Sequence, residues 1–288
     1  MREPKKTPRP RAESRRANPF ELQKGEKAAR DEKEVHVYGN GIVCDTENRG
    51  HVRPRGRSVF EIVVDASEGF IPLWARDVTL RWRFQERSMS AFARPAAAKA
   101  AIERLLGEAL VAWGDAAPVR FAKRDDAWDF EIAMRRADNC DASGCVLASA
   151  FFPDAGRHQL RLYPKMFSQS KEEQLETLIH EIGHIFGLRH FFADVSEREW
   201  ASEIFGTHKR FSIMNYGADS KLTAADRDDL KRLYQLAWSG KLTEINGTPI
   251  RLVKPFHTSG ARPENLLAVG QLQTVVQPQP DAAIPGET

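Results

Sequence analysis

Val78, Leu80, Trp82 and Phe84 place an apolar side chain at every second position, the period of a strand with one buried face. Phe60 to Asp65 reads as a strand before it. From Pro95 the period changes: Ala98, Ala101, Ile102, Leu105, Leu106, Ala109, Leu110 and Trp113 form one stripe of a helix. Alternation returns at Phe130, Ile132 and Met134, and residues 144–153 and 158–164 read as two further short strands. Ser170 with Glu173 makes a capping box, predicting a helix that runs to Gly187, where a glycine takes the left-handed cap. Thr223 with Asp226 opens another helix, with Leu230, Leu233 and Tyr234 on one face. This order predicts one α+β domain over residues 58–240.

Composition sets the flanks apart from that domain. Residues 1–33 carry a surplus of positive charge, prolines and no periodicity, and are expected to be a disordered basic leader. Such an arm can neutralise phosphates. No aromatic residue interleaves the charges before Phe20, which favours a solvated leader over a nucleic-acid partner. Residues 34–57 are a linker or prosegment, and 241–288 a largely loose extension that turns to Pro, Gln, Gly and Ala beyond His257. No stretch approaches the roughly 18 apolar residues of a membrane span. The start of the chain lacks the apolar core of a signal peptide, leaving a cytoplasmic site or signal-independent export. Of three cysteines, Cys140 and Cys145 can at most pair across a small loop. Oligomeric state is not legible.

Chemistry concentrates in His180-Glu-Ile-Gly-His-Ile-Phe-Gly-Leu-Arg-His190. His180 and His184 stand four residues apart and project from one face of the helix. Leu175, Leu178, Ile179, Ile182, Ile185 and Phe186 fall on the other side, so the imidazoles and Glu181 are expected to face a cleft. A catalytic zinc usually takes three protein ligands and a water. Gly187 lets the chain swing back so that His190 supplies the third nitrogen, and Glu181 is placed to take the water's proton. With this composition the spaced pattern arises by chance in about 3 of 100,000 such chains.

That pattern resembles the zinc signature of the metzincin metallopeptidases. Ser212-Ile-Met-Asn-Tyr-Gly217 is similar to their Met-turn, and residues 222–234 to the closing helix of matrixins. Upstream, residues 80–84, 109–113, 129–132 and 147–153 resemble successive matrixin landmarks, so the likeness covers about 58–238. It implies a metzincin-like zincin fold: a twisted mixed sheet of about five strands with three main helices, and an active-site cleft between an upper and a smaller lower subdomain. It also implies a zinc endopeptidase acting on protein or peptide, with one catalytic Zn2+ on His180, His184 and His190 and Glu181 as general base. Met214 would lie beneath the metal, Tyr216 would stabilise the oxyanion, and residues 146–152 would form the upper edge of the cleft. The rival reading is a non-catalytic zinc-containing peptide-binding protein, whose signature would be loss of Glu181.

The chain also departs from matrixins. Ser149 and Arg161 stand where ligands of a second, structural zinc are expected, and His158 reads as a surface residue, so that ion is not expected here. Tyr216 follows the astacin and serralysin pattern, where matrixins usually carry proline. Cys44 or Asp45 would occupy the fourth metal position if the upstream segment is inhibitory, as prosegment residues do in related families.

Overall fold

Alternation becomes burial in the Thr79–Phe84 strand, where Leu80, Trp82 and Phe84 are buried and Thr79, Arg81 and Arg83 are half-exposed. The structure, a computed structural model, describes residues 18–21, 62–66, 69–140, 144–190, 202–205, 212–214 and 220–258. The strands are β1 (Ile62–Asp65), β2 (Ile71–Trp74), β3 (Thr79–Phe84), β4 (Arg120–Lys123), β5 (Phe130–Met134), β6 (Asn139–Cys140), β7 (Cys145–Val146), β8 (Ala148–Ser149), β9 (His158–Leu162), β10 (Ser202–Phe205), β11 (Glu244–Ile245) and β12 (Thr248–Val253). The helices are α1 (Glu86–Met89), α2 (Pro95–Trp113), α3 (Lys171–Ile185) and α4 (Ala224–Trp238). The main sheet has the order β4-β3-β5-β9-β8, parallel except for β8, which runs antiparallel along β9 at the edge.

The expected helices form where their end signals stand. α2 begins on a proline in its first turn and ends at Gly114 with φ +58°, burying Ala98, Ile102, Leu105, Leu106, Ala109 and Trp113. α3 opens on the expected box: Ser170 Oγ accepts from the Glu173 N–H (3.1 Å), and Glu173 accepts from the Ser170 N–H (2.9 Å). Thr223 and Asp226 repeat the arrangement at α4. α2 and α3 are tied where the Trp113 indole N–H donates to the Ile179 carbonyl (3.0 Å) and its ring meets Phe186 edge-on. One apolar core fills the space between the main sheet and these helices.

Several elements differ from expectation. β2 is buried at all four positions, and Pro72 interrupts any period it could show. β4 is short and largely polar-flanked, and β10 pairs antiparallel with β1. Residues 241–258, taken from composition as the start of a loose tail, carry a hairpin instead. β11 turns through Asn246 and Gly247, both at positive φ, into β12, which lies parallel to β2. Asn-Gly is the pair that a two-residue hairpin turn demands. The described part of the leader, residues 18–21, is docked. Phe20 stacks on Phe167 (4.3 Å between centroids) and tilts against Phe92, and the Glu21 carbonyl accepts from the Ala93 N–H (2.7 Å). Cys140 and Cys145 form a disulfide that closes the β6–β7 hairpin. Cys44 and Asp45 lie outside the described residues.

Candidate metal centre

The end of α3 brings the three histidines together. Gly187 takes φ +91°, the Leu188 N–H donates to the Gly183 carbonyl (3.0 Å) and the Gly187 N–H to the His184 carbonyl (2.8 Å). This paired closure reverses the chain within two residues. A Cβ on Gly187 would stand 3.3 Å from the Pro72 carbonyl oxygen, so both the φ and the close approach require glycine. The reversal aims the Leu188 carbonyl back at His184 and delivers His190 to His180.

His180 Nε2 lies 3.0 Å from His190 Nε2 and 3.1 Å from His184 Nε2. His180 Nδ1 sits 2.8 Å from the Ile213 carbonyl oxygen, and His184 Nδ1 2.8 Å from that of Leu188. Carbonyls only accept, so both Nδ1 atoms must carry the proton, and in the neutral rings Nε2 presents a lone pair. Lone pairs about 3 Å apart repel unless a cation lies between them. The donor set therefore fits a metal ion: neutral imidazoles whose outer nitrogens are fixed by carbonyl acceptors are the usual ligands of zinc.

The ligand side chains are buried. His180 and Glu181 are 2% exposed, and His184 and His190 are 0%. The Leu188 and Ile213 carbonyls lie against the imidazole-bearing end of α3 and hold two of the rings at Nδ1. The Phe152 ring meets His184 edge-on at 5.5 Å, which brings the end of the β8 segment against the histidines.

Met214 is buried beside α3. A Cβ on Gly183 would meet its Sδ at 2.5 Å, so the thioether occupies the space that a side chain between the two histidines would need. Ser212 Oγ accepts from the Met214 N–H (3.2 Å) and shapes the turn that offers the Ile213 carbonyl. Tyr216 lies outside the described residues. Ser149 and Arg161 face each other across β8 and β9, with Ser149 buried. His158 is half-buried rather than fully exposed: its ring stacks flat on Phe151 (4.5 Å, 10°), with Nε2 3.7 Å from Asp154.

Three supports of the centre carry no sequence signal. The carbonyls of Leu188 and Ile213 are backbone atoms. The third is a clamp on the end of α3, where the Trp74 indole N–H donates to the Ile185 carbonyl (2.7 Å) and the Tyr234 hydroxyl to that of Phe186 (3.0 Å). The same hydroxyl accepts from the Trp74 backbone N–H (3.2 Å). Burial pushes the Tyr234 pKa well up, and the Trp74 N–H lowers it only in part. This phenol therefore remains a neutral donor.

A mixed sheet with an antiparallel edge, set over a helix whose capped end gathers three histidines above a buried methionine turn, defines a metzincin-like domain. Residues 73–235, more than half of the chain, match the model of the Matrixin family, and the chain belongs to that family. Metalloendoproteinase 4-MMP of Arabidopsis thaliana is 29% identical over 135 residues, which span 41% of this chain and 38% of that protein. Two solved structures of myroilysin, each 14% identical, cover 60% and 74% of this chain and 98% of their own, with TM-scores of 0.38 and 0.37.

Proposed function

We propose that the chain is a zinc-dependent endopeptidase in which His180, His184 and His190 hold the metal and Glu181 is the general base. The observation that carries this reading is the convergence of three Nε2 atoms, two of their rings fixed by carbonyls at Nδ1. Zinc held there supplies Lewis acidity, polarising a carbonyl oxygen and lowering the pKa of water from about 16 towards 7. Glu181 follows His180 on the same turn of α3 and is buried beside the triad. Its carboxylate takes the proton of the attacking water and hands it to the departing amine. Tyr216 stabilises the developing oxyanion with its hydroxyl.

The peptide lies along β8, the antiparallel edge strand of the main sheet. Main-chain hydrogen bonds to such an edge hold a substrate extended. Phe152, next to that strand and against His184, brings the held peptide to the reacting groups.

The test pairs zinc content with cleavage of a peptide library. One zinc per chain, chelator-sensitive cleavage, and a Glu181→Gln variant that retains zinc while losing at least about a hundredfold in kcat are expected. An active Glu181→Gln variant would sink the mechanism, and a zinc-free active protein would sink the function.

A further inference from the structure

A cavity of about 430 Å³ shares no lining residue with the histidine centre. It opens where the strap after β12 closes against the start of β3 and the end of β4. Its charge is one-sided: Arg76, Arg81, Arg124 and Lys254 line it against one carboxylate, Asp77. Asp77 is 4.0 Å from Arg76 with both side chains largely exposed, a pair that contributes little. Among the described residues, no carboxylate forms an ion pair with Arg81, Arg124 or Lys254. Cations gathered around one void repel each other until a counterion enters.

A further lining group, His257, is built in rather than splayed on the surface. His257 is 10% exposed at its side chain and lines the cavity, with Nδ1 held 2.7 Å from Asp129 Oδ2. The buried Asp129 carboxylate also accepts the His257 backbone N–H (2.9 Å) and that of Arg81 (2.7 Å). Its oxygens are thus engaged in fixing the ring and the β3 backbone. Val78 and Pro255 give the cavity a buried apolar wall. The volume falls within the roughly 300 to 1,000 Å³ typical of small-molecule sites and exceeds the needs of a bare phosphate ion.

We propose that this cavity binds a small organic phosphate. The guanidinium groups of Arg81 and Arg124 grip the phosphate oxygens, a match of fork geometry and charge. Lys254 and His257 complete the anion site, and the organic body lies on Val78 and Pro255. The wall that carries Lys254 and His257 exists only when the strap is docked, so the ligand also fastens residues 254–258 to β3 and β4 and raises the thermal midpoint.

Isothermal titration of the full chain at constant ionic strength, with phenyl phosphate and inorganic phosphate as probes, tests this. Saturable one-to-one binding of phenyl phosphate, tighter than that of inorganic phosphate, is expected. The double variant Arg81→Gln, Arg124→Gln should weaken it at least about tenfold. Lys254→Gln, at an exposed position, should weaken it severalfold, which keeps the test decisive if the double variant does not fold. Inorganic phosphate binding as tightly as phenyl phosphate overturns the organic ligand. The whole proposal falls if neither probe saturates, or if both variants bind like the parent.

Discussion

Gly183 sits in the last turn of α3, where helix energetics still favour alanine, by up to about 1 kcal/mol. The contact with Met214 reverses that sign. A Cβ at this position would lie 2.5 Å from Met214 Sδ and 3.4 Å from Trp113 Cζ2, against a normal carbon–sulfur approach of about 4 Å. Met214 would have to retreat by more than 1 Å from a buried position, and its turn carries the Ile213 carbonyl that holds His180. Overpacking of this size costs about 1 to 3 kcal/mol, so after a propensity gain of up to about 1 kcal/mol Gly183→Ala should be destabilising by about 0 to 2 kcal/mol net. Disturbing the carbonyl behind a metal ligand should also weaken zinc binding about 10- to 100-fold. Gly107, in α2 with open space around its would-be Cβ, is the internal control. Gly107→Ala should stabilise by about 0.5 to 1 kcal/mol without touching the metal. Urea denaturation of the zinc-free proteins and competition with a chelator dye read the two quantities separately. If both alanine variants gain stability and Gly183→Ala keeps its zinc affinity, the packing argument is wrong.

Tyr234→Phe removes one oxygen from a buried clamp, leaving the Trp74 N–H and the Phe186 carbonyl each one partner short; a loss of about 2 to 4 kcal/mol in chemical denaturation is expected, and less than about 0.5 would refute the clamp. A chain ending at Gly240 loses the strand beside β2 and should unfold at distinctly lower temperature than the full chain, whereas an equal melting point would mean that β12 adds nothing. Tyr216→Phe should lower kcat about 10- to 1,000-fold with little change in KM, measured on a peptide substrate.

The parts of this domain legible in the sequence are those where local chemistry and tertiary need coincide. α3 is announced by Ser170 and Glu173 and closed by Gly187, and the spacing of His180, His184 and His190 survives into the structure because that closure is local. β2 is different: Ile71-Pro-Leu-Trp74 is buried on both faces, so no alternation exists to read. The β11–β12 hairpin had a signal in Asn246-Gly247, but composition further along drew the whole stretch into the tail. The carbonyl supports of the centre were unreadable for a deeper reason. The Ile213 carbonyl reaches His180 from a segment distant in sequence, and even the nearby Leu188 carbonyl at His184 is a backbone atom of the kind every residue carries.

The docked leader bears on what a cut would do. Uncut, Phe20 rests on Phe92 and Phe167 as part of one chain, and the contact costs no loss of free translation. A single break between Glu21 and Ile62 turns that contact into an encounter between two molecules. Burying one phenylalanine is worth about 1.5 to 3 kcal/mol, less than the 4 kcal/mol or more that association consumes. By the contacts of residues 18–21 alone, the severed leader would come away without a second cut. What stays behind is a bare aromatic face at Phe92 and Phe167, present on the trimmed form and hidden on the intact one, by which a dye or an antibody could tell the two apart.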